Sequence, residues 1–134
     1  MKLNLLRLVA LVSGLLLVAV PVMAHHSFMG EYDLSKAVTL SGTITKVEWA
    51  NPHISFEIAV RDAAGKVTHW TLESASPSSL VRRGWTSTSL KAGDVITVQA
   101  FPAKKDRPFA AAQRVTFADG RTLSANSDGV RPPT

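Results

Sequence analysis

The chain contains no cysteine. Disulfides, thiol chemistry and thiolate metal sites are therefore excluded, even in a compartment that would permit oxidation. Aromatic residues are sparse, at 7% of the chain. Enzyme signatures are missing as well. No serine lies in a nucleophile elbow, no His-Glu-x-x-His zinc motif occurs, and no glycine-rich phosphate loop is present. Glu48, Glu57 and Glu73 fall on predicted strands at outward positions, and no two of them are marked as an acid and a base. A catalytic role is not expected. There is no internal repeat, no heptad and no second long apolar run behind the first.

That first run is at the start. Lys2 and Arg7 open it, Leu8 to Val22 is nearly continuous apolar sequence, and Val22 and Ala24 occupy the −3 and −1 positions of a small-residue cleavage site. This is the three-part pattern of a secretory signal peptide, residues 1–24, cut after Ala24. The run is shorter than the ~20 residues of a spanning helix. Export to the periplasm or medium is expected, with no stable membrane span after cleavage. Loss of Lys2 and Arg7 lowers the formal charge from +5 to about +3. So small a surplus, on an exported chain, argues against a nucleic-acid partner.

Residues 25–37 read as a polar N-terminal arm and residues 126–134, "NSDGVRPPT", as a disordered tail. Between them, residues 38–125 read as strands. "VTLSGTITKVEW" alternates at Val38, Leu40 and Ile44, then slips phase to Val47 and Trp49, with Gly42 inside. An internal glycine and a phase slip predict a bulge or bend. "HISFEIAV" alternates cleanly, "RDAAGK" is a hairpin turn, and "VTHWTLESA" points Trp70 and Leu72 inward. Ser76, Pro77 and Gly84 mark the cap, first turn and end of one short helix. "VITVQAF" is a fourth strand. "AAQRVTFADGRTLSA" is a fifth, folding back at Asp119-Gly120. The expected fold is mainly β: a small five-stranded OB-like Greek-key barrel with one short helix between strands three and four.

The stretches "AHHSFMGEYD", "VEWANPH" and "LVRRGWTSTSLKAGD" resemble those of a family of small exported bacterial proteins carrying a domain of unknown function. The likeness runs from His25 to about Ser124. It implies export and a single small β-domain. It implies no catalytic residue.

Cleavage after Ala24 would leave His25 as the first residue, followed by His26. A terminal histidine chelates through its α-amine and its ring together. The amine's reference pKa is about 7.7–8.0 and the ring's about 6.5, so both lose protons near neutrality. Cu(II) heads the divalent affinity order for such nitrogen donors. One further imidazole completes a histidine brace, and His53, in the "WANPHIS" turn between strands one and two, is the candidate. His69, on an outward strand position, is a poorer one. Met29 offers a soft thioether suited to Cu(I), and Glu31 or Asp33 an oxygen ligand or a partner to orient a ring. His25, His26 and His53 are thus the candidate copper ligands, with Met29 and Glu31 as accessories.

A second constellation is the loop "PAKKDRP", where Lys104, Lys105 and Arg107 are flanked by Phe101 and Phe109. Basic residues beside aromatics in such a loop suit a nucleic-acid or oligosaccharide groove. Trp49 and Trp85, as pocket walls beside the Asn51-to-His53 turn, complete the candidate partner-binding residues. The expected role is an exported binding or accessory module that takes copper at its mature N-terminus. A metal-free module docking an envelope protein is the alternative, and an oligosaccharide-binding domain the third.

Overall fold

The computed structural model describes residues 30–126. The predicted leader, His25, His26, Met29 and nearly all of the predicted tail lie outside the described residues. The chain divides between Glu31 and Tyr32, and the unit beginning at Tyr32 carries the barrel.

Among the described residues from Val38 on, six strands and one helix follow in the order β1 (Val38–Glu48), β2 (Ser55–Arg61), β3 (Val67–Glu73), α1 (Pro77–Arg82), β4 (Val95–Pro102), β5 (Phe109–Phe117) and β6 (Thr122–Ser124). β1 pairs antiparallel with both β2 and β4, β2 with β3, and β4 with β5. A parallel contact between β3 and β5, Thr71 opposite Phe109 through Glu73 opposite Ala111, closes the five-stranded ring. β6 returns along β5 from the Asp119-Gly120 turn, as expected.

β1 serves both halves of the barrel. Its first half, Val38–Thr43, pairs with β4, and its second half, Thr43–Glu48, with β2. Gly42 lies just before that change of partner, and a Cβ placed there would come within 2.5 Å of the Ala59 carbonyl oxygen of β2. The missing side chain is what lets two backbones approach. The phase slip has a separate cause. The β1–β2 register shifts between Ile44 and Lys46, so Thr45 is the inserted residue. The bulge moves the inward positions from even to odd numbers.

The β2–β3 hairpin turns on Asp62, whose carboxylate accepts from the Ala64 and Lys66 amides, while Gly65 takes φ +84°. In α1, Ser76 caps the N-terminus by accepting from the Ser79 amide, and Pro77 occupies the first turn. At its other end the Gly84 amide donates to Val81 and the Trp85 amide to Leu80, with Gly84 at φ +90°. This double closure is a Schellman motif, and it delivers Trp85 into the core. Trp85 is buried among Ile44, Phe56, Ile58, Leu72, Leu80 and their neighbours, with its indole N–H donating to Ser124 O at 2.9 Å.

Candidate functional site

The site begins with hairpin register. Ser55 and Glu73 face each other across β2 and β3. Side chains two apart on a strand share a face, and the pairing continues past the strand end, where the Ile54 amide donates to Ala75 O and the Ser74 amide to Ile54 O. His53 therefore emerges beside Glu73. Its Nδ1 lies 2.5 Å from Glu73 Oε1. The Asn51-Pro52 peptide bond immediately before it is cis.

The other carboxylate oxygen is also occupied. The Tyr32 hydroxyl donates to Glu73 Oε2 at 3.0 Å. Tyr32 is fully buried, although it falls within the stretch read as a polar arm. Two backbone links hold Tyr32 and Asp33 to the end of β4: a bridge between Tyr32 and Ala103, and a 2.8 Å hydrogen bond from the Asp33 amide to Pro102 O. The Tyr32 ring stacks on Phe109, with centroids 6.0 Å apart and planes 11° from parallel. The Arg107 guanidinium covers the Phe109 ring, 4.3 Å from its centroid. A continuous line of side chains thus runs from Arg107 through Phe109, Tyr32 and Glu73 to His53. It joins the β4–β5 loop to the β1–β2 turn.

Next to this line, Asp33 accepts from the hydroxyl and amide of Ser35 and pairs with Lys36 at 3.6 Å. The Ser35 hydroxyl first, then its amide and Lys36, hold the Asp33 carboxyl below the usual aspartate range.

Of the expected ligands, His53 is exposed and joined to the line just described. His25, His26 and Met29 lie outside the described residues. Glu31 is the last residue of the preceding unit. His69 is exposed on β3 opposite Ala59, as expected of an outward position. Among the described residues, no group of three or more histidine, cysteine, aspartate or glutamate side chains is placed to hold a metal ion. Lys104 and Lys105 are exposed on the β4–β5 loop. Trp49 is half-buried against the core edge. Trp85 is 1% exposed and cannot wall a surface pocket, because the helix stop turns it inward onto Ser124.

Sequence reasoning missed Glu73 and Tyr32. The outward phase of Glu73 is correct, but Tyr32 returns over that face and leaves Glu73 only 20% exposed. Counting register from the Asp62–Lys66 turn was the signal that would have set Glu73 beside His53.

A separate small cleft of about 100 Å³ lies between β1, β4 and β5, lined by Val38, Thr39, Gln99, Phe101 and Gln113 among others. Gln113 is buried there, and its Oε1 has no hydrogen-bond partner.

A ring of five strands in the order β1-β2-β3-β5-β4, with a helix between β3 and β4, defines an OB-like barrel. Residues 12–110 match the model of a family of unknown function (DUF6152), and the chain belongs to that family. None of the curated proteins compared matches it. Among solved structures, the chain is similar to the mitochondrial single-stranded DNA binding protein Rim1 of S. cerevisiae. Identity is 12% and the TM-score 0.47, over 68% of this chain and 95% of that one. Among the described residues, no helix is long and apolar enough to cross a membrane.

Proposed function

We propose that this protein is an exported OB-like binding module that takes a copper ion between its mature N-terminus and His53. The supporting observation is where the chain is anchored. Tyr32 is fixed to Glu73, and Glu73 touches His53, so the first residue of the barrel unit lies two contacts from the candidate ligand. His25 is seven residues before Tyr32. Seven residues reach at most about 25 Å, ample for a terminal amine and imidazole to fold back onto the exposed His53 ring. Amine, His25 ring and His53 ring would supply the nitrogen set that Cu(II) favours. His26 and Met29 are nearer to Tyr32 in sequence than His25 is. No second ligand from the barrel is required.

The test is calorimetric titration of the chain processed after Ala24 with Cu(II), beside His53→Ala and a form carrying one extra residue before His25. One-to-one binding weakened by both changes supports the proposal. Binding indifferent to His53 returns the terminus to simple chelation and leaves the barrel with a different role. The basic loop of Lys104, Lys105 and Arg107, with the half-buried Trp49, would then be the surface to test for an envelope partner.

A further inference from the structure

Glu73 reaches two residues from opposite sides. Oε1 meets His53 Nδ1 at 2.5 Å and Oε2 accepts from Tyr32 at 3.0 Å. An ionised carboxylate only accepts hydrogen bonds, so the hydrogen it shares with the ring belongs to Nδ1. A neutral imidazole with its hydrogen on Nδ1 carries its lone pair on Nε2. The hydrogen bond made by one ring nitrogen decides which form the ring takes. Without such a partner, a histidine in water favours the opposite form, with the hydrogen on Nε2 and no lone pair there.

The carboxylate is itself immobilised. Its backbone is paired with Ser55 on one side and Ala111 on the other. Its second oxygen is held by a tyrosine that is fully buried and stacked on Phe109. His53, by contrast, sits on an exposed turn and has a 41% exposed side chain. An exposed ring gains a fixed direction only from what it touches.

We propose that Glu73 is the positioning residue of this site: held by Tyr32, it fixes His53 as the Nδ1–H form and presents Nε2 as a donor to a borderline divalent cation. The identity of the cation rests on the copper reading above. The form of the ring does not, because it is a property of the metal-free protein. Removing the partner that orients a ligating histidine weakens metal binding by about 10–100-fold in comparable sites.

The experiment uses the full processed chain with ¹⁵N-labelled histidine, free of metal, in mildly alkaline buffer. Ring-nitrogen shifts report which nitrogen carries the hydrogen. The expected result is Nδ1–H for His53 in the wild type and in Glu73→Gln, whose carbonyl still accepts. Glu73→Ala should convert His53 largely to Nε2–H and leave His69 unchanged. Cu(II) affinity should then fall about 10–100-fold in Glu73→Ala and less in Glu73→Gln. A wild-type His53 in the Nε2–H form overturns the inference, as does a Glu73→Ala protein whose His53 is unaltered. If Glu73→Ala fails to fold, the wild type, Glu73→Gln and Tyr32→Phe, which keeps Oε1 available, still decide it. An Nδ1–H ring in a protein whose Cu(II) binding ignores His53 supports the positioning role while ending the copper proposal.

Discussion

The Tyr32 hydroxyl donates to Glu73 Oε2 across 41 positions of sequence, and this bond fastens the start of the barrel unit to the strand that carries the site. Hydrogen bonds to charged groups contribute about 1.5–3 kcal/mol. Tyr32→Phe keeps the ring on Phe109 and removes only the hydroxyl. It should lower stability by about 1–3 kcal/mol, read from urea unfolding of the processed chain. Tyr32→Ala, which also empties a fully buried ring position, should cost about 3–5 kcal/mol.

Gly42 is required for a different reason. Alanine there would set its Cβ 2.5 Å from the Ala59 carbonyl oxygen, against backbone that cannot turn aside. Gly42→Ala should destabilise by about 1–3 kcal/mol. At Gly65, where φ is +84° and the space is open, Gly65→Asn should cost less, because asparagine tolerates that conformation. Thermal unfolding of the two variants side by side measures the contrast.

Trp85 should report on stability rather than on a partner. Trp85→Phe removes the indole donor to Ser124 O, at the part-buried edge of the barrel, and leaves a smaller ring in a buried position. The expected loss is about 1–3 kcal/mol. Any ligand affinity, measured below the unfolding transition, should stay as it was.

The Ser35 hydroxyl is the largest cause of the lowered Asp33 pKa. A carboxyl depressed in the folded state adds stability above its unfolded pKa, and that contribution disappears as pH falls through the folded value. Ser35→Ala should raise the Asp33 midpoint toward the ordinary value. Carboxyl-carbon NMR titration below pH ~5 follows it directly.

Much of the barrel was legible in advance because local chemistry sets it. Ile54, Phe56 and Ile58 alternate and are buried, and Ser76, Pro77 and Gly84 delimit the helix as expected. The phase slip after Ile44 announced the bulge, although its position at Thr45 and the close approach at Gly42 are separate features. Closure between β3 and β5 has no local signal, since two parallel strands far apart in sequence meet only in the finished barrel. The same applies to the site. His53 stood out as a histidine in a turn, but Glu73 looked like any outward glutamate and Tyr32 like part of a polar arm. Only a tertiary contact makes them one unit.

The most direct test of the account is pulsed electron paramagnetic resonance of Cu(II) bound at one equivalent to the processed, ¹⁵N-histidine-labelled chain. Hyperfine couplings count the imidazoles on the ion. The account predicts couplings from two rings, one of which vanishes in His53→Ala while the other persists. A spectrum in which His53→Ala leaves every imidazole coupling unchanged would contradict it.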